Sequence, residues 1–354
     1  MNNMNQTNKK NILGYTLEDL KQIAVENNLK PYLAKQLFDW IYKKRVNSFD
    51  EMSNISKTNL AFLKENFYFG TLKEVIKQVD PIDETTKFLF ELSDGYKIET
   101  VLMKFDYGYS VCVTTQVGCN MGCKFCASGL LKKKRDLHAS EIVQEIYTVQ
   151  KYLDEHKPGE RVGNIVVMGI GEPLDNFDNV VQFIRIVNDD NGLQIGARKI
   201  TVSTCGIVNK FDRWIEEMPQ VGLAISLHAS NNEVRNQIMP INKAFNFDKV
   251  LEAAQKYVDK TKRRITFEYI MLRGINDSKE HALELAERLK GMLCYVNLIP
   301  YNPVRENDFQ RSTRVKEFAD TLTKHGITVT TRQEKGSNID AACGQLRAKN
   351  EGIL

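Results

Sequence analysis

Seven short β-branched runs follow one another between residues 109 and 331, with helix-like segments between them. They are YSVCVTT (109–115), NIVVMG (164–169), KITVST (199–204), LAISLH (223–228), RITFEYIML (264–272), YVNLIP (295–300) and ITVTT (327–331). Ile142, Ile146, Val149 and Leu153 mark one helical face in the first long gap, and 176–189, 246–260, 278–291 and 313–325 carry the same period. Strands alternating with helices predict right-handed βαβ units and a parallel sheet, either open or curled into a full or partial barrel. The barrel is favoured by what stands at the C-terminal strand ends. A cysteine loop follows the first strand, Gly171-Glu172-Pro173 the second, Ser203 ends the third, Ser226 and His228 the fourth, Asn302 follows the sixth and Cys343 the last. In a (β/α) barrel those ends share one mouth, where active sites are built.

A chain of 354 residues exceeds what one core usually fills, so a main domain of about 250 residues with a smaller companion is expected. Residues 1–74 read as a small helical domain. Thr16-x-x-Asp19 ahead of Leu20 and Ile23 resembles a capping box, Leu33, Leu37 and Ile41 recur every four residues after Pro31, and a third helix is predicted over 57–66. Residues 75–104 alternate as strands in TKFLFEL and KIETVLM around Ser93-Asp94-Gly95, which predicts a β-hairpin extension leading into a barrel over 105–348.

Four of the seven cysteines lie in CVTTQVGCNMGCKFCAS, residues 112–128. The polar start MNNMNQTNKKN, with no eighteen-residue apolar run after it, predicts a cytoplasmic chain without a membrane span. Thiols stay reduced in that compartment, so a cysteine cluster points to metal binding or chemistry rather than static disulfides. Cys119, Cys123 and Cys126 are spaced C-x3-C-x2-C, which suits three corners of an iron–sulfur cluster with one iron open to another ligand. A structural zinc ion and inert buried thiols are the alternatives at this point. Zinc wants a fourth ligand, and the nearest spare one, His138, lies twelve residues on.

A net charge of +4 permits a nucleic-acid partner without requiring one, and residues 1–75 hold eleven Lys/Arg against eight Asp/Glu. Trp40-Ile41-Tyr42-Lys43-Lys44-Arg45 and Leu131-Lys132-Lys133-Lys134-Arg135 are candidate RNA contacts, although cations also suit helix C-termini. Gly169-Ile170-Gly171 is not a dinucleotide fingerprint, because position 174, where the third glycine belongs, is Leu.

The cysteine spacing, with an aromatic residue before the last cysteine and a following strand that ends in G-E-P, resembles the radical S-adenosylmethionine (SAM) enzymes. CVTTQVGCNMGCKFCAS, VMGIGEPLDN, LAISLHA, LIPYNPV and IDAACGQL, in this order over roughly residues 15–348, are similar to the adenine-C2 branch of the RlmN/Cfr family of RNA methyltransferases. The resemblance implies an α/β fold with a partial (β/α) barrel of radical SAM type and a [4Fe-4S] cluster on Cys119, Cys123 and Cys126. It places SAM on Gly171, Glu172, Ser203, Ser226, Leu227, His228 and Asn302. It also implies methylation of C2 of adenosine in 23S rRNA and tRNA, with electrons from an external donor. Nothing in the sequence asks for more than a monomer.

Adenine C2 is not nucleophilic, so displacement of the SAM methyl group cannot alkylate it directly. The family's solution makes Cys343 the methyl carrier, methylated by one SAM and then relieved of a hydrogen atom by the radical from a second. Cys112 becomes the thiol that releases the RNA adduct through a transient disulfide with Cys343, and Glu99 the proton acceptor. Taken singly, Glu99 also suits a surface carboxylate, Glu172 a solvated loop, His228 a satisfied core histidine and Asn302 a turn before Pro303. Cys205 and Cys294 match no role and read as buried thiols. Asn338 stands where relatives often carry an acid before I-D-A-A-C, which bears on how the Cys343 loop is tethered. Gln116-Val117-Gly118 and Gly171-Glu172-Pro173 match the C2 branch, whereas the C8-methylating, antibiotic-resistance branch tends to show Q-C-G and G-E-A. From another class, the alternative is an RNA-binding protein whose cluster is structural or redox-sensing.

Overall fold

The computed structural model describes residues 9–130, 132–303, 308–340 and 345–352, so Cys343 and Leu131 lie outside the described residues. Ten strands form the main sheet: β1 (Lys73–Val79), β2 (Thr86–Glu91), β3 (Lys97–Phe105), β4 (Gly108–Cys112), β5 (Val162–Val167), β6 (Ile200–Thr204), β7 (Gly222–Ser226), β8 (Ile265–Met271), β9 (Cys294–Pro300) and β10 (Thr328–Thr331). They lie side by side in chain order, antiparallel from β1 to β4 and parallel from β4 to β10. β1 and β10 are the two edges, so the seven parallel strands make a partial barrel that does not close on itself.

All seven predicted runs are strands. The first ends at Cys112, short of the run's end at Thr115, because the Thr114 N–H turns away to the Glu145 carboxylate at 3.1 Å. The region ahead of the barrel holds three strands rather than a hairpin's two. The additional one, KEVIKQV, is a partly exposed edge strand whose mixed charges hide its alternation.

The helices are α1 (Leu17–Glu26), α2 (Tyr32–Phe38), α3 (Lys57–Asn66), α4 (Ala139–His156), α5 (Phe177–Asn188), α6 (Phe211–Glu217), α7 (Asn232–Ile238), α8 (Phe247–Thr261), α9 (Lys279–Leu289), α10 (Val315–Lys324) and α11 (Gln345–Asn350). Ile142, Ile146, Val149 and Leu153 of α4 are all buried, each worth roughly 2 kcal/mol of apolar burial. Helices α6 and α7 were not expected, since seven residues are too few to display a helical period. Thr16 and Asp19 form the capping box of α1, and Pro31 opens α2, which continues into a wider π-helical turn over Asp39–Lys43. This N-terminal part packs on α4 and α5. Tyr147 donates its hydroxyl to the Val46 carbonyl at 2.5 Å and Gln182 donates to Asp19 at 2.7 Å, over one continuous apolar core.

Register fixes which side chains share the inner sheet face. Lys87 pairs with Val101, Val101 with Cys112 and Cys112 with Val166, so these four stand in one row across β2, β3, β4 and β5. Glu99, two residues before Val101, lies on the same face. Thr100 points the other way, toward α4, and donates to Glu145 at 2.6 Å. Among the described residues no helix is long and apolar enough to cross a membrane.

Candidate active site

The loop after β4 carries Cys119, Cys123 and Cys126, all partly exposed. Gly118 (φ +84°) and Gly122 (φ +69°) supply the left-handed turns that fold it tightly. The Cys126 N–H donates to the Cys123 carbonyl at 3.2 Å, and the Lys124 N–H ties the loop to Ile238 at 3.0 Å. Burial pushes the Cys119 thiol up to about 12, with Cys126 adding to it, and pushes Cys123 up as well. Two thiols that resist ionisation on their own, gathered with a third on one short loop, are what a cationic centre would convert to thiolates. Among the described residues no three His, Cys, Asp or Glu side chains converge on a point suited to a single ion. A cubane asks for less convergence, since each thiolate binds a different iron. Thr115 Oγ1 and Ser128 Oγ, on either side of the loop, are buried with no hydrogen-bond partner among the described residues. The residues present therefore fit the cluster.

The residues assigned to SAM gather at the C-terminal ends of β5, β6, β7 and β9. Gly171 has φ +113°, and a Cβ there would sit 2.7 Å from Gln116 Cβ and from Thr115 Oγ1, so only glycine allows this approach. Glu172 is buried, not a solvated loop residue. Its carboxylate accepts from the N–H groups of Leu174 (3.0 Å) and Cys205 (2.7 Å), while its own N–H donates to Gln116 Oε1 at 2.9 Å. Burial pushes this carboxyl up, against the pull of the Cys205 N–H. Ser203 Oγ and Ser226 Oγ are 3.5 Å apart on neighbouring strands. The N–H groups of Leu227 and His228 both donate to the Glu268 carbonyl, at 3.1 and 3.2 Å.

His228 adopts φ +57°, and its buried Nδ1 accepts the Ile270 N–H at 3.0 Å. Burial, with the Arg235 charge second, pushes the ring down to about 3, so it is neutral and carries its proton on Nε2. One ring nitrogen is thus satisfied as in a core histidine and the other is a donor. Phe125, the aromatic residue of the cysteine loop, meets the His228 ring edge-on at 4.8 Å. Asn302 is exposed just beyond β9.

On β4, directly beside β5, Cys112 is buried in a small apolar cluster with Val101 and Met103. Glu99 is 4% exposed, which rules out a surface carboxylate. Its Oε2 is 2.9 Å from the ammonium of Lys87, and its Oε1 accepts the Arg347 N–H in the first turn of α11 at 2.6 Å. The chain ahead of residue 341 is docked on β1, β2 and the turn between them. Asp83 accepts from the Gly336 N–H and Gln78 from the Asp340 N–H, at 2.9 and 3.1 Å, while Asp80 accepts from both the N–H and Nδ2 of Asn338. Asn338 is therefore tethered as a donor facing an acid. Cys343 itself, between these anchors, is outside the described residues.

Sequence reasoning missed Arg235 and Lys87. Arg235 is fully buried and donates to the carbonyls of Cys205 (2.6 Å) and Leu227 (3.3 Å) and to Asn242 (2.9 Å), binding the strand-end loops together and holding a positive charge near Cys123. In NEVRNQI nothing distinguishes it from a surface arginine. Cys205 and Cys294 are buried thiols. The two basic runs are largely engaged within the molecule. Lys43 and Lys44 face Asp39, Arg45 pairs with Asp154, Lys133 bridges Asp136 and Asp175, and Arg135 bridges Asp94 and Glu141. Lys132 and Lys134 are exposed.

The radical SAM superfamily matches residues 113–286, and the N-terminal domain of ribosomal RNA large subunit methyltransferases matches residues 10–68. A probable dual-specificity RNA methyltransferase RlmN from Spiroplasma citri is 57% identical over 97% of this chain and 99% of its own. The chain belongs to the RlmN family of the radical SAM superfamily. A second RlmN relative, from Malacoplasma penetrans, is 54% identical over 96% of either chain. The crystal structure of a radical SAM methyltransferase from Sphaerobacter thermophilus superposes with a TM-score of 0.89 at 40% identity, covering 95% of this chain and 98% of that one. As a radical SAM enzyme of the RlmN family, the chain uses a [4Fe-4S] cluster and SAM.

Proposed function

We propose that this chain is an RNA methyltransferase that methylates C2 of adenosine in 23S rRNA and tRNA, with Cys343 as the methyl carrier. We place it in the cytoplasm as a monomer served by an external one-electron donor. The observation that supports the reading is the inner row of the sheet. Cys112 and Glu99 share one face, and Lys87 beside them grips residue 340 while Glu99 itself grips residue 347, the two flanking the segment that contains Cys343.

In this reading Cys119, Cys123 and Cys126 hold the cluster, and Gly171, Glu172, Ser203, Ser226, Leu227, His228 and Asn302 hold SAM. When bound, the two supply a 5′-deoxyadenosyl radical by one-electron cleavage of the sulfonium. Cys343 first takes a methyl group from one SAM as a nucleophile. After that methyl group loses a hydrogen atom, its carbon bonds to C2 of the base. The adduct returns one electron to the oxidised form of the external one-electron carrier, and Glu99 takes the C2 proton. The Cys112 thiolate then attacks the Cys343 sulfur. A disulfide forms as the carbon–sulfur bond breaks, and the departing carbon takes a proton to become the product methyl group. The target adenine must leave its stack to reach this mouth, which favours loop nucleotides.

The test is a pair of thiol variants in the reconstituted enzyme. Cys112→Ala should retain a covalent RNA–protein adduct, visible as a shifted band that nuclease digestion collapses. Cys343→Ala should form neither adduct nor methylated RNA, and full methylation by that variant would contradict the mechanism.

A further inference from the structure

We infer that Lys87 is a positioning residue for the thiol chemistry, its buried ammonium both aiming the Glu99 carboxylate and fixing the chain just ahead of Cys343. The inference rests on the reading above, in which Cys343 and Glu99 act on the adenine.

A lysine on a hairpin-like strand ordinarily keeps its ammonium in water. Lys87 is 0% exposed. Burying such a charge is costly unless an opposite charge and acceptors meet it. Here the Glu99 carboxylate meets it at 2.9 Å, and the Asp340 carbonyl accepts from the same Nζ at 2.5 Å. The other oxygen of Glu99 accepts the Arg347 N–H at 2.6 Å, so it caps the first turn of α11 as an anion at a helix N-terminus.

One ion pair thus grips the chain at residues 340 and 347, three positions before Cys343 and four after it. Gln78, Asp80 and Asp83 also hold the approach to this segment, but Lys87 contacts both the approach and Glu99. Register puts Lys87 in the same row as Cys112, two strands away. A buried pair of this kind adds little to stability that a well-packed apolar pair would not supply. Its use lies in geometry. Two fixed ends restrict where the intervening thiol can travel, which lowers the entropic cost of bringing Cys343, Cys112 and the base together.

The experiment is single-turnover methylation of an RNA substrate by the reconstituted full-length enzyme, comparing wild type with Lys87→Met, Lys87→Arg, Glu99→Gln and the double variant Lys87→Met/Glu99→Gln. Lys87→Met should slow the turnover about 100-fold, the size of effect expected when a reacting group is misplaced by an ångström. The KM for RNA and the iron content should not change, and Lys87→Arg should restore part of the rate. The double variant should be no slower than the slower single, because the two side chains act as one unit. It also leaves no unpaired buried charge, so its folding separates lost positioning from lost structure. A wild-type rate in Lys87→Met, or losses that multiply in the double variant, would overturn the inference. Cys343→Ala is run alongside. If it is inactive while Lys87→Met is normal, the Lys87 inference alone has failed, whereas an active Cys343→Ala removes the underlying reading and this inference with it.

Discussion

Asp80 and Asn338 stand 258 positions apart in the chain, yet the Asp80 carboxylate accepts the Asn338 N–H at 2.9 Å and its Nδ2 at 3.2 Å. The same carboxylate accepts the Ile82 N–H at 2.8 Å, and the Asn338 N–H leads the contacts that hold Asp80 below the usual carboxylate range. A turn between two antiparallel strands is thus a berth for the approach to Cys343, and an amide donor at 338 suits an ionised acceptor.

Asp80→Ala should therefore slow single-turnover methylation by about tenfold, from loss of charge-assisted hydrogen bonds to the berth. Iron content and SAM binding, which the proposed function assigns to the far strand ends, should stay at wild-type levels. Equilibrium dialysis with SAM and quench-flow turnover check the two halves of this statement.

Gly171 and Gly163 lie eight residues apart and should respond in opposite ways to alanine. At Gly171 the new Cβ meets Gln116 and Thr115 at 2.7 Å in a backbone of φ +113°, and the strain should cost about 2 kcal/mol or more and weaken SAM binding. At Gly163 the nearest contact is the Tyr109 carbonyl at 3.8 Å, so Gly163→Ala should be neutral to slightly stabilising. Urea denaturation of both variants measures the difference.

His228 gives an acid-side signature. Its folded value of about 3 lies below the ordinary histidine value of 6.5, so the native state refuses a proton that the unfolded chain accepts. Stability is fully present above about pH 6.5 and falls as the pH drops toward the folded value, by about 2 kcal/mol between pH 6.5 and 5. His228→Asn tolerates the left-handed backbone and keeps an oxygen for the Ile270 N–H. It should flatten this part of the profile, measured as the urea midpoint against pH.

The barrel was legible because each of its strands is a run of β-branched residues and each long helix spans several periods. The cysteine loop was legible because its spacing is local. Lys87 and the burial of Glu99 were not, since in TKFLFEL and KIETVL a charged residue between apolar neighbours looks like the wet face of a hairpin. That face is dry where residues 336–340 and 345–347 return to it, and pattern within a strand carries no record of such a return. Arg235 was hidden for the same reason, its acceptors being backbone carbonyls on other strands. The basic runs show a different gap: their composition suggests RNA, while their partners within the molecule, among them Asp39, Asp154, Asp175 and Glu141, are remote from or just outside the runs and do not show in the pattern.

The most direct measurement is nucleoside mass spectrometry of ribosomal RNA that lacks the modification, after anaerobic incubation with reconstituted enzyme, SAM and a reductant. The account predicts 2-methyladenosine, dependent on Cys343. Appearance of 8-methyladenosine instead would contradict the carbon assignment, and unmethylated adenosine from an enzyme whose cluster cleaves SAM would contradict RNA as the substrate.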